Sequence, residues 1–512
     1  MKEFFRTKKL ILISGLTFLC LLIGYYIYFY SFSFPVNSDN VYFLHAAEDM
    51  LNGNPLLKNW NGGFFTALTG DILWAAFFRL FLSQKAVLYL IGPLSYALIV
   101  LFCFLILSRN QPHHRQKYIG LFLIPILFVP KALRHPLMTL GMHGIAILYI
   151  LILTWLFGIL AAENKSSLLM RTVYFFLLWM ASIADGYVIY YFAIPALSVL
   201  ILDTIQSRSK KNRILFFLTL FGTVAGVATI QLINRMGFLR TEKTAFELIK
   251  FSDWGKYICN TADTWFRIFG FSFHEFSIRK PDAIFEISGA VAALIVLILI
   301  LKAIKDFFQQ DMTTKVLIAG FLFCTGSFTF TAVTQAEPAV RYLSPAFFSG
   351  LLIAGKQILR MPLRRKSERF LLGIPFLLFA LGNVSVTYYA APVTNPSYVE
   401  IADALKDRGV KAIYATYWET HALSYYSGER IQAAPIMAEN DKIIPYRWSS
   451  KTDWYEPTFN ATAILISQNK RYGLSEDLLI RTFGEYRERF LLDETEIYIY
   501  GKNLSAIFAN AE

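Results

Sequence analysis

Long apolar runs constrain this chain more than any other feature of it. Residues 10–30, 86–108, 138–160, 316–333 and 370–390 contain no Asp, Glu, Lys or Arg, and residues 283–301 contain only Glu286. Each run is close to the roughly 20 residues that cross a hydrocarbon core of ~30 Å. Lipid offers no hydrogen bonds to a backbone, so each run has to satisfy its own N–H and C=O groups as a helix. Composition agrees. Hydrophobic residues make up 55% of 512 and charged residues only 17%, where a soluble domain carries about 25%. Mean hydropathy is +0.46. The expected fold class is a polytopic α-helical membrane protein with a polar C-terminal domain.

Lys2, Arg6, Lys8 and Lys9 precede the first run. Its length, and the lack of a small-residue cleavage pattern before Pro35, favour an uncleaved anchor over a signal peptide. Cys20, Cys103 and Cys324 fall in apolar runs and Cys259 stands alone in a loop. That spacing suggests neither a disulfide framework nor a metal cluster. The net charge of +13 falls largely in short loops between spans, where the positive-inside bias puts it, so no nucleic-acid partner is expected.

Parity then orients the chain. With the N-terminus inside, residues 31–85 form a first outer loop containing Asp39, Glu48, Asp49 and Asp71. The basic loop Arg109–Lys117 is inside, and spans at about 118–134 and 138–160 form a hairpin. Residues 172–202 are too long for one crossing and are interrupted by Asp185-Gly186; two short helices meeting at Asp185 keep the basic flanks Arg171 and Arg208–Arg213 inside. Spans at about 214–234, 283–301, 316–333, 342–360 and 370–390 complete a count of about eleven, N-in and C-out. An outer loop covers 235–282, and Arg360, Arg364, Arg365, Lys366 and Arg369 form the strongest inside signal. Residues 62–83 carry Asp71 and Arg79 and are expected to lie along the outer surface. The domains are therefore 1–390, the membrane part, and 391–512, an extracytoplasmic α/β domain. Helix patterns at 397–408 and 474–483 alternate there with strand patterns at 411–418, 463–468 and 497–500.

The first outer loop holds the most informative motif. Asp39 falls at a helix start behind the polar residues Asn37 and Ser38. The plain role for such an acid is a helix cap. The chemical one is a general base, able to take a proton from an acceptor hydroxyl or amine. Asp39, Tyr42, Ala46-Ala47, Met50-Leu51 and Gly53, followed by Phe78-Arg79-Leu80-Phe81, resemble the first outer loop of the C-type (GT-C) superfamily of membrane glycosyltransferases. That superfamily includes the protein O-mannosyltransferases and the transferase that adds aminoarabinose to lipid A. The span pattern extends the resemblance over residues 1–390. There are departures. Asn40 stands where many members have a second acid, His143 where many have an acid near the end of span four, and Ala184-Asp185-Gly186 where the lipid A transferases have Thr-Lys-Gly. A divalent metal therefore has no ligand motif to rest on, and the cofactor stays open.

His143 sits on an apolar helix pattern, where a histidine is either hydrogen-bonded within the bundle or part of a site. Asp185, at a junction of short helices, is either a cap or a group facing a water-filled cavity. Gln335, Glu337, Arg341 and Tyr342 cluster at an outer loop. Arg341 and Tyr342 are either an interfacial anchor with an aromatic belt or, as the resemblance implies, the group that holds the lipid phosphate. A guanidinium suits that task because it forks onto two oxygens and stays charged. Lys58, Lys131, Arg134 and His135 are further outer-face groups, and Tyr414, Tyr417, Trp418, Tyr425 and Tyr426 either stack on sugars or pack a core.

The function that the resemblance implies is a membrane glycosyltransferase. It would move a sugar from a polyprenyl-phosphate donor to a glycan, lipid or protein acceptor at the outer face of the cell (inner) membrane, with inversion. Asp39 would act as base, Arg341 and Tyr342 would bind the donor phosphate, and His143, Asp185 and Glu48 would line the site. The alternatives are a transporter or flippase for lipid-linked sugars, which predicts repeated halves and midplane charges, and a non-catalytic membrane scaffold.

Overall fold

A computed structural model describes residues 2–109, 111–112, 119–162, 167–207, 210–242, 247–331, 339–361, 366–387, 396–467 and 472–510. Arg115, Lys117, Arg208, Gln335, Glu337, Arg364 and Arg365 lie outside the described residues. The chain divides into two compact units. One comprises Met1–Ser31, Tyr89–Ala228 and Ala245–Ala391, and the other Phe32–Leu88, Thr229–Thr244 and Pro392–Glu512.

The first unit is helical. Among the described residues, seven helices are long and apolar enough to cross a membrane: Ile13–Ser33, Gln84–Ser108, Gly144–Ala162, Gly186–Gln206, Lys211–Arg235, Ala283–Lys305 and Met312–Phe330. Leu168–Ala184 and Ser344–Arg360, at 17 residues each, are shorter. Lys366–Thr387 has its apolar stretch at Leu372–Val384. The span expected at 118–134 is the clearest departure. Its helix is Ile119–Leu127, 9 residues, or about 14 Å at 1.5 Å per residue. Pro130 accounts for the break, since a proline disfavours helical geometry in the residue before it; the chain continues as short turns at Lys131–Leu133 and Arg134–Met138. The loop expected at 235–282 contains a helix, Trp254–Ile268, that buries Tyr257, Thr264, Trp265 and Ile268 on one stripe. Cys259 lies on its exposed side.

Ser344–Arg360 forms the middle of this bundle, with every residue from Ser344 to Leu359 buried. It packs on Ala283–Lys305 and Met312–Phe330. Close approach needs glycine at two points of the unit. A Cβ at Gly289 would lie 1.8 Å from the Phe269 carbonyl oxygen, and one at Gly92 would lie 2.1 Å from that of Met138. As the sequence suggested, the helix over 168–207 breaks at Asp185. That residue is extended (φ −156°, ψ 134°) and caps the next helix by accepting from the Tyr187 N–H at 2.9 Å.

The second unit is built on a six-stranded mixed sheet of order β4-β3-β2-β6-β8-β7. The strands are β2 Ala412–Ala415, β3 Gln432–Glu439, β4 Lys442–Pro445, β6 Ala463–Ser467, β7 Glu488–Leu492 and β8 Thr495–Ile499. β2 runs parallel to β3 and β6, and the remaining pairs are antiparallel. Both faces are covered, one by Ile401, Ala402, Leu405 and Leu423, the other by Leu478, Leu479, Phe483 and Phe508. Central β2 is accordingly buried at every residue. A two-stranded ribbon pairs β1 Trp60–Asn61 with β5 Ser450–Lys451.

The helix Ser38–Leu51 packs on the helix Tyr417–Tyr426 in this unit. Its N-terminus is closed by a capping box: Asn37 accepts from the Asn40 N–H, and the Asn40 side chain accepts from the Asn37 N–H. Asp39 is not the cap. The surface helix expected over 62–83 is confined to a π-helical turn, Leu68–Ile72, and the helix Leu73–Arg79. Residues 62–67 are irregular and end at Ala67 in the left-handed region (φ 51°).

Candidate active-site clusters

Four of the residues singled out from sequence meet in the first unit. His143 is not in a helix. It is the residue before Gly144–Ala162, in the left-handed conformation (φ 67°) that histidine tolerates better than most side chains. Its Nδ1–H donates to Asp185 Oδ2 at 2.5 Å, which fixes the ring's tautomer and orientation. The ring stacks on Tyr187, with centroids 4.1 Å apart and planes 5° apart. Tyr342 lies 6.3 Å from His143 and 6.2 Å from Tyr187 by ring centroid.

Arg341 completes this cluster from the short turn Ala339–Leu343. Its Nη2–H donates to the Tyr342 hydroxyl at 2.7 Å, and Nη1 faces the Met142 sulfur at 4.0 Å. Two buried polar atoms here have no partner among the described residues, Arg341 Nε and the Tyr187 hydroxyl. Buried polar groups in native proteins are nearly always paired, so orphans in one cluster call for a ligand or another explanation. Sequence reasoning missed Tyr187 and Met142. The turn Lys131–Leu133 packs on the turn Ala339–Leu343, with the Lys131 backbone N–H donating to Asn383 Oδ1 at 3.0 Å, and Arg134 lies over the Tyr30 ring.

Asp39 and Glu48 lie in the second unit, both on Ser38–Leu51. Tyr417 donates its O–H to Asp39 Oδ1 at 2.6 Å. Burial first, and the Asp39 carboxylate second, hold the Tyr417 phenol well above its usual pKa, so it remains a donor. Ser38, fully buried, donates to the Tyr417 carbonyl at 2.5 Å and accepts from the His421 N–H at 3.2 Å. Two helical turns on from Ser38, His45 Nδ1 meets His421 Nδ1 at 2.8 Å, and His45 Nε2 meets Glu429 at 2.8 Å. Nothing in the local sequence around Asp39 could have pointed to Tyr417, His421 or Glu429, which lie in a distant stretch of chain.

Glu48 is nine residues from Asp39, two and a half turns, and so on the opposite face of the helix. It is paired with Arg79 and lines a cavity of about 470 Å³ in this unit. Lys58 is exposed, and Tyr414, Tyr417 and Trp418 pack on neighbouring rings. Among the described residues, no group of three or more His, Cys, Asp or Glu side chains is arranged to hold a metal ion.

No family model matches the chain. No curated protein sequence matches it either. Solved structures do. The chain is similar to ArnT from Cupriavidus metallidurans bound to undecaprenyl phosphate, at 12% identity and a TM-score of 0.57, covering 94% of this chain and 97% of that one. The same protein in the apo state matches at 11% identity and 0.54, covering 96% and 99%. The oligosaccharyltransferase of Archaeoglobus fulgidus is a weaker likeness, at 10% identity and 0.48, covering 89% and 69%. At nearly complete coverage of both chains, this protein has the polytopic membrane fold of that ArnT.

Proposed function

We propose that this protein transfers a sugar from a polyprenyl-phosphate donor to an acceptor at the outer face of a bacterial-type plasma membrane, with the second unit extracytoplasmic. The observation that carries the reading is Arg341, whose buried Nε has no partner among the described residues and whose Nη1 faces the Met142 thioether. A guanidinium in that state has donors to spare for two phosphate oxygens. The fold is shared with a protein crystallised with undecaprenyl phosphate, which supports the same donor class here.

The chemistry is a direct displacement. An acceptor hydroxyl or amine attacks the anomeric carbon, the carbon–oxygen bond to the lipid phosphate breaks, and Asp39 takes the acceptor's proton. Polyprenyl phosphate leaves, and the anomeric centre inverts. Stabilising the charge that develops on the leaving phosphate is the larger electrostatic task, and Arg341 and Tyr342 are placed for it in this reading. Asp185 holds His143 beside them. Tyr417 orients the Asp39 carboxylate. Release of polyprenyl phosphate from a radiolabelled polyprenyl-phosphate sugar, in proteoliposomes, tests the proposal. Release should fall roughly 10²–10⁴-fold in Asp39→Asn, the usual weight of a general base. Unchanged release in Asp39→Asn and in Arg341→Ala would remove both assignments.

A further inference from the structure

The cavity beside Glu48 is not used by the transfer chemistry. It lies on the face of Ser38–Leu51 away from Asp39, and Asp39 is not among its lining residues. At about 470 Å³ it falls within the size range of small-molecule sites. One wall comes from the first-loop segment, with Glu48, Asp49 and Gln84, and the other from the C-terminal segment, with Gln432, Lys451 and Trp454.

Each carboxylate in this lining has a basic side chain beside it. Glu48 is bound by Arg79. Lys451 Nζ lies 3.2 Å from Asp49. Glu429 is bound by His45 at 2.8 Å. His421 Nε2 faces the Ser449 carbonyl at 2.7 Å and must therefore be N–H, which leaves its Nδ1 as an acceptor for His45 Nδ1–H. His45 Nε2 then faces the Glu429 carboxylate.

A lining of this kind selects by elimination. An anion needs cations free of carboxylates, and a divalent cation needs carboxylates free of basic partners, whereas here Arg79 and Lys451 are held by Glu48 and Asp49, and Glu429 faces His45. An apolar ligand would strip water from these paired groups without replacing it. A neutral polyol does replace it. Carboxylates already held by one cation keep lone pairs for hydroxyls, and the Gln84 and Gln432 amides both donate and accept. The indole of Trp454, half-buried and edge-on to Trp60 at 5.6 Å, supplies the flat apolar surface that the C–H face of a pyranose covers.

We infer that this cavity binds a neutral saccharide unit, and that the protein thereby holds a glycan through a subsite separate from Asp39. Binding does not require the transfer reading, because it is measured without donor. The test is saturation-transfer NMR on the full chain in lipid nanodiscs; a maltoside detergent would compete for the site. The probes are maltose and N-acetylglucosamine, with glucose 1-phosphate as the anionic control. Both neutral sugars should receive saturation, and glucose 1-phosphate less. Trp454→Ala should weaken binding on the order of tenfold, which corresponds to about 1.4 kcal/mol. Because Trp454 also packs on Trp60, the second variant is Gln432→Trp, which fills the cavity from an exposed strand position and should block both sugars. No transfer to either sugar in the wild type, undiminished transfer in both variants, or stronger transfer to glucose 1-phosphate would each overturn the inference. Loss of polyprenyl phosphate release with sugar binding intact would instead count against the transferase reading alone.

Discussion

His421 is fully buried and its protonation state is set by contacts on both ring nitrogens, so lowering the pH is a perturbation with a computable outcome. A proton added at Nδ1 would turn the 2.8 Å contact with His45 into two opposed N–H groups and would bury a charge. Burial first, and His45 second, push the His421 pKa from 6.5 down to about 3. A segment that opens takes up a proton near pH 6.5, whereas the closed one does not, so stability present above pH 6.5 is lost as pH falls towards 3. Between pH 7.5 and 5.5 the linkage amounts to about 1.4 kcal/mol, or roughly a tenfold shift towards the open form. Glu429 lies outside this window. Burial alone would raise its carboxyl, but His45 and Gln84 hold it below its ordinary value of 4.5. The assay is hydrogen exchange in peptides covering Tyr417–Tyr426, corrected for the intrinsic pH dependence of exchange. Wild type should open roughly tenfold more at pH 5.5 than at 7.5. His421→Gln, which keeps a hydrogen-bonding side chain but cannot titrate, should be nearly flat. A flat wild type, or an equal tenfold change in His421→Gln, would refute the reasoning.

The remaining predictions are shorter. Tyr417→Phe keeps the ring and removes only the hydroxyl that holds Asp39; loss of a bond to a charged group costs about 1.5–3 kcal/mol, so release of polyprenyl phosphate should slow by about ten- to a hundredfold, with the helix packing unchanged by hydrogen exchange. Arg341→Lys should raise the donor concentration at half-saturation although the charge is kept, because an ammonium cannot fork onto two oxygens; identical donor saturation curves would make Arg341 an interfacial anchor. Gly289→Ala drives a Cβ to 1.8 Å from the Phe269 carbonyl, and overpacking of that order should lower stability by about 1–3 kcal/mol, read as a lower thermal midpoint in detergent. For orientation, a cysteine at exposed Asn440 should react with an impermeant maleimide on intact cells and one at exposed Lys305 should not; the reverse pattern would invert the topology.

The membrane-spanning pattern was legible because lipid imposes it residue by residue. A stretch that crosses a hydrocarbon core cannot hide a charge cheaply, so the runs at 86–108, 138–160, 283–301 and 316–333 all correspond to helices in the structure. The break at Asp185 was legible for the same reason. What failed were segments where a proline outweighs hydropathy. Residues 118–134 are apolar throughout their first half, but the helix ends at Leu127, three residues before Pro130. In the second unit the alternation at 463–468 and 497–500 was readable. The helix Tyr417–Tyr426 was not, because its aromatic residues favour a strand in isolation; in the structure it packs on both β3 and Ser38–Leu51.

The site residues divide differently. Whether Asp39 caps its helix was decidable from sequence: Asn37 and Asn40 stand three apart, the spacing of a reciprocal capping box. They meet the backbone at both positions and leave Asp39 to Tyr417. The role of Arg341 was not decidable in that way. An anchor and a phosphate ligand have the same sequence, a cation beside a tyrosine at the mouth of a span. They differ in where the donors go. An anchor reaches towards water and headgroups with every N–H satisfied. Arg341 instead folds over the Tyr342 ring, 4.8 Å from its centroid, and buries an Nε that has no acceptor among the described residues; a second buried group, the Tyr187 hydroxyl, has none there either. Leaving a buried charged donor unpaired costs more than a neutral one. That cost is hard to explain for a group whose only task is to mark an interface, and easy to explain for one that closes on an anion.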